Sequence, residues 1–136
     1  MSDQSQSMPG VAPSRALLVI LGAAGLAGAA GVALAAVAAH RVESPSLATA
    51  ATMLMIHAAA VIAVLAVATQ FARSRWWVGV AGVMLAAAAL FSGAISYQAF
   101  MGEPFIKGAA PVGGTILIVS WAAVALLGFR EALRAR

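Results

Sequence analysis

Two histidines, His40 and His57, and four carboxylates, Asp3, Glu43, Glu103 and Glu131, are the side chains with which this chain could move a proton near neutral pH. A metal site needs several such ligands converging at a fixed spacing, and two histidines with only Glu43 and Glu103 within reach are too few. Haem ligated by both imidazoles would need them at one depth. His40 closes an apolar run while His57 lies well inside the next, a mismatch of roughly 10 Å or more at 1.5 Å per helical residue. Cysteine is absent, which removes disulfides, thiolate metal sites and a thiol nucleophile. No P-loop, dinucleotide fingerprint or nucleophile elbow is present. The expectation is a protein without catalytic residues, cofactor or metal.

The remaining polar side chains group by depth. His57 lies about nine residues into its apolar run, near 13 Å at the helical rise, and the same count places Ser92 and Ser120 at a similar level on two later runs. These three are expected to form one buried layer, and Thr52, Ser96 and Tyr97, in a second layer nearer the outer surface with Thr49, Gln98 and Thr115, complete the candidate intramembrane polar site. His40 and Glu103 form a candidate rim above it. An ionisable group at membrane depth is a functional candidate, because its burial must be offset. A neutral imidazole bonded across helices to a serine or tyrosine is the simpler role, since no intramembrane carboxylate pairs with His57.

The elements that hold these residues follow from composition. The chain is 63% hydrophobic and only 9% charged, with a mean hydropathy of +1.00. Soluble domains carry about 25% charged residues, so lipid is the implied solvent. All twelve charges fall outside or at the edges of four uncharged stretches, Ala16 to Ala39, Leu47 to Ala72, Trp76 to Gly102 and Gly108 to Phe129. A bilayer enforces that spacing, since a charge at its centre costs roughly 2.5 to 3.5 kcal/mol on insertion scales. Each run can cross a core of about 30 Å as a helix, and none alternates as a barrel strand would.

The expected fold is therefore all-α, an integral-membrane up-and-down four-helix bundle with helices near 16–39, 47–72, 76–101 and 111–129. A disordered tail is expected over 1–15 and a basic tail over 130–136. The first run exceeds the core of a typical signal peptide and reads as an uncleaved span. Arg15, Arg73, Arg75, Arg130, Arg134 and Arg136 lie on the face with the termini, six cations against Arg41 and Lys107 opposite. The positive-inside rule then puts both termini in the cytoplasm. Lipid headgroup contacts are expected from Arg73, Arg75, Arg130, Arg134 and Arg136, with Trp76 and Trp77 at the same interface. Membrane lipids are the expected partners, with a second copy or another membrane protein as further candidates; the scattered cations do not suit nucleic acid.

With little hydrophobic drive between helices in lipid, association rests on close backbone approach and interhelical hydrogen bonds. Gly22, Gly25, Gly28 and Gly31 wind around the first helix, so that it could touch two neighbours. Gly79 and Gly82 on the third helix and Gly113 and Gly114 on the fourth are expected to act similarly.

AAVAAH closing the first run, MLMIHAAAVIAVL, FSGAISY and APVGGTILIVSW together resemble the YgdD-like domain-of-unknown-function family of small bacterial inner-membrane proteins, over about residues 20–128. The resemblance implies four helices in the inner membrane and aligns His40 and His57 with the family's two histidines. This chain has Ala-Ala-Val-Ala-Ala before His40 where the family has Gly-Ala-Phe-Gly-Ala, and Met53 and Leu54 where it has Tyr-Gln. The family carries no established activity to transfer. The leading expectation is a non-enzymatic structural, accessory or lipid-interacting bundle; the alternative is a small proton-coupled transporter or channel working through His57, Ser92 and Ser120. An intramembrane enzyme ranks last, since no base, nucleophile and oxyanion donor can be assembled.

Overall fold

A computed structural model describes residues 13–41, 44–71, 74–104 and 106–135. The tail expected over 1–15 falls mostly outside the described residues, as do Asp3, Glu43, Arg73 and Arg136. Four helices are described, α1 (Arg15–His40), α2 (Pro45–Ala68), α3 (Ser74–Met101) and α4 (Ala109–Arg134). Each is long and apolar enough to cross a membrane.

Local chemistry sets where the helices start. Ser14 caps α1 by accepting the Leu17 N–H at 3.2 Å, and Ser44 caps α2 by accepting that of Leu47 at 3.3 Å. Pro45 at the head of α2 and Pro111 in the first turn of α4 sit where a missing N–H costs no intrahelical bond. Gly108 takes a left-handed conformation, φ 86°, to turn the chain into α4. Gly113 and Gly114 leave α4 unbroken. A break there would leave backbone groups without partners at membrane depth.

Two boundaries differ from the hydropathy reading. α2 stops at Ala68, four residues short of 72, where Thr69 Oγ1 donates to Ala66 O at 2.7 Å and the chain turns. α4 runs on to Arg134, so most of the expected basic tail is helix. Arg134 pairs with Glu131 at 3.3 Å, and its charge suits the helix C-terminus.

The helices pack up and down, but the ring is not closed. α1 packs on α2 and more lightly on α3, α2 on α3, and α3 on α4, while α1 and α4 share no packed face among the described residues. α2 and α3 are thus the inner pair: ten residues of α2 and eight of α3 are buried, against three of α1 and four of α4. Leu54, Val61, Leu65, Met84, Ala81 and Ala88 make the centre of the core.

Candidate functional site

His57 is the only buried ionisable group among the described residues, and both its ring nitrogens are engaged. Trp121 on α4 points its indole N–H at His57 Nε2 from 3.2 Å. Indole nitrogen only donates, so Nε2 must be the unprotonated acceptor and Nδ1 must carry the hydrogen. Nδ1–H then donates to Met53 O, one turn earlier on α2, at 2.7 Å. The imidazole is consequently a neutral linker that ties α2 to α4, two helices that scarcely touch otherwise. The rings meet edge to face, 6.1 Å between centroids at 61°.

The expected three-residue layer does not form. Ser92 Oγ donates to Ala50 O at 2.8 Å, and Ala50 lies seven residues from His57 on α2, about 10 Å along the axis. Counting from the run ends assumed that all ends share one height. The Ser92 to Ala50 bond instead sets an antiparallel register in which Pro45 lies beside Tyr97, so the last turn of α3 overshoots the start of α2. Ser120, next to Trp121, does lie at the level of His57, but its hydroxyl donates to Ile116 O of its own helix at 2.8 Å.

The other candidates part company as well. Ser96 is buried beyond Ser92 toward the same end, with no hydrogen-bond partner for its hydroxyl. Thr52 is exposed and bonds back to Ala48 O, because the buried stripe of α2 runs through residues 47, 50, 54, 57, 61 and 64 and leaves 52 outside it. Tyr97 is 41% exposed and lines a cleft of about 260 Å³ between α3 and the start of α4, with Ile106 and Ala109. His40 and Glu103 are exposed at the rim. Gly28 faces Ala58, which fixes His57's level on α1, and His40 lies twelve residues further on, about 18 Å along the axis. The two imidazoles cannot meet on one iron within a chain.

At the opposite end Arg75, Arg130 and Arg134 are exposed, and the Arg75 guanidinium lies over the Trp76 ring, 5.6 Å from its centroid. Trp76 is 52% exposed, as an interfacial indole should be. Trp77 is not a headgroup contact: it is buried and stacks on Phe71, with centroids 5.5 Å apart. Successive helical residues point about 100° apart, and the inward stripe of α3 through Trp77, Ala81, Met84 and Ala88 claims the second tryptophan.

Sequence reasoning missed Trp121 as the partner of His57. A donor-only indole in a span was the available signal, but the rotation of α4 that brings it to α2 is not written in hydropathy. Also missed was a cleft between α1 and α3, of about 600 Å³, at the end where both helices begin.

The family model for a protein of unknown function, DUF423, matches residues 27–114, well over half the chain. The chain belongs to the DUF423 family. This bears out the resemblance drawn from the four sequence motifs, over a shorter stretch than 20–128. The matched part of this DUF423 protein holds His40, His57, Ser92 and Tyr97 but ends before Ser120 and Trp121. No solved structure matches the chain.

Proposed function

We propose that this DUF423 protein is a non-enzymatic structural and lipid-interacting bundle of the bacterial inner membrane, with both termini in the cytoplasm. The observation that carries the reading is the use already made of the three polar groups that a relay would need, His57, Ser92 and Ser120. Both nitrogens of His57 are bonded, Ser92 binds a neighbouring backbone, and Ser120 binds its own. A relay residue must offer a free lone pair or proton to the next station, and His57 offers its lone pair only by releasing Trp121 and its proton only by releasing Met53 O. The clefts that open between α1 and α3 and between α3 and α4 are lined by neither His57 nor Ser92; Ser120 borders one of them, but its hydroxyl is bonded to its own helix. The orientation rests on the six-to-two excess of cations at the terminal end.

Proteoliposomes test it directly. Wild type and His57→Ala should show the same proton leak as protein-free vesicles, while His57→Ala and Trp121→Phe should each lower resistance to denaturant by about 0.6 to 1.7 kcal/mol, the range of interhelical hydrogen bonds in membranes. A proton flux in wild type that His57→Ala abolishes would replace this reading with the transporter.

A further inference from the structure

The α1/α3 cleft has a polar mouth and an apolar shaft. Ser14, Ser74 and Arg75 stand at the mouth. Ile20, Val78 and Val83 line the way down, and Gly82 forms the floor, a Cβ there falling 3.2 Å from the Ile20 side chain. From Ser74 to Val83 the shaft descends nine residues, about 13 Å, close to the half-thickness of a hydrocarbon core of about 30 Å.

Electrostatics at the mouth favour an anion. α1 and α3 run parallel and both begin here, so two positive helix ends converge, and neither has an acidic residue in its first turn. Among the described residues Arg75 has no carboxylate partner, the one ion pair there being Arg134 with Glu131. A free phosphate would leave the apolar shaft unfilled. A second copy of the chain would bring its own arginine-bearing end against these arginines. An amphiphile with an anionic head and an acyl tail one leaflet deep suits both halves of the cleft.

We propose that the α1/α3 cleft binds an anionic glycerophospholipid, with its phosphate held by Arg75 and the first-turn amides that the Ser14 cap leaves open, and one acyl chain laid along Ile20, Val78 and Val83. The proposal rests on the lipid-interacting reading above and gives it a site and a lipid class. It also assigns a use to Gly79, where a Cβ meets nothing within 4 Å: the missing side chain keeps the cleft wall low.

Native mass spectrometry of the full chain released from vesicles of phosphatidylglycerol and phosphatidylcholine, matched in acyl chain and mixed equally, provides the test. Wild type should retain phosphatidylglycerol in preference. Arg75→Gln should cut that preference about fivefold, the worth of one basic residue beside an anionic headgroup, whereas Arg41→Gln, an exposed cation at the opposite end of α1, should leave it intact. Gly79→Leu, whose Cβ meets nothing within 4 Å, should reduce retention of both lipids while the helical far-UV circular dichroism stays that of wild type. Equal retention of the two lipids by wild type would overturn the proposal, as would equal losses from Arg75→Gln and Arg41→Gln, which would mean a diffuse effect of net charge. Displacement of the lipid by inorganic phosphate, or a dimer that covers the cleft, would overturn it too. None of these outcomes touches proton flux, so the site can fail while the structural reading stands, and the reverse.

Discussion

The two halves of α1 are made of the same small residues and do opposite things. Toward its C-terminus Gly28 and Gly31 face α2: a Cβ on Gly31 would lie 2.5 Å from Met55 Cγ and 3.2 Å from both Ala51 O and Met55 N. Toward its N-terminus Gly22 and Gly25 face nothing within 4 Å, while Ala16 and Ile20 on another face of the helix line the cleft to α3. Small residues permit close approach without causing it. What decides is the opposite surface. Ala51 and Ala58 on α2 let two backbones meet, while Ile20 stands between α1 and Gly82 as a spacer.

One alanine series breaks or sharpens this contrast, because alanine adds the same methyl group everywhere and gains the same helix propensity. The largest effect belongs to the third closed contact, between α3 and α4. A Cβ on Gly113 would fall 2.8 Å from Phe91 N and 3.0 Å from Ala87 O, both backbone atoms inside a helix that cannot yield locally. Gly113→Ala should therefore force α4 away from α3 and lower resistance to denaturant in mixed micelles by about 2 to 3 kcal/mol, the upper range for overpacking. The neighbour Gly114, whose Cβ would meet only the Phe91 ring at 3.6 Å, serves as control and should tolerate alanine. A mild effect at Gly113 would mean that the α3/α4 contact is looser than its geometry.

Gly31→Ala comes next, at about 1 kcal/mol in the same assay. Its shortest conflict is with Met55 Cγ, the flexible part of an unbranched side chain that can swing aside, which leaves only the tight approach to Ala51 O and Met55 N to absorb. Should Gly31→Ala cost as much as Gly113→Ala, backbone against backbone would not be what separates the two contacts.

The same contrast marks what the sequence made legible. The four spans were readable because a bilayer acts on each charge separately, so Arg15, Arg41, Arg75 and Lys107 mark boundaries with no knowledge of tertiary structure. Short connections made the up-and-down order readable in the same way. Rotation and axial register were not, because a helix apolar on every side has no preferred face in hydropathy. Trp76 and Trp77 looked equivalent as an interfacial pair, and only packing against Phe71 separates them. Ser92 and His57 looked level, and only the overshoot of α3 past Pro45 puts about 10 Å between them. Trp121 had to be rotated toward α2 before its indole could be seen as the group that fixes the tautomer of His57.

The smallest effect, and the one with the opposite sign, is expected at Gly22. A methyl group there enters open space, so no packing is disturbed, and the only term left is the backbone. Glycine in a helix interior costs up to about 1 kcal/mol relative to alanine in water. Lipid shrinks that term, since a chain in the membrane stays helical for want of other hydrogen-bond partners and has less entropy to lose. Gly22→Ala should accordingly leave denaturant resistance unchanged or raise it by less than about 1 kcal/mol, against losses at Gly31 and Gly113 from the identical chemical change. A clear loss at Gly22 would show that this face of α1, turned about 200° away from Ile20 and the cleft, is packed and not open.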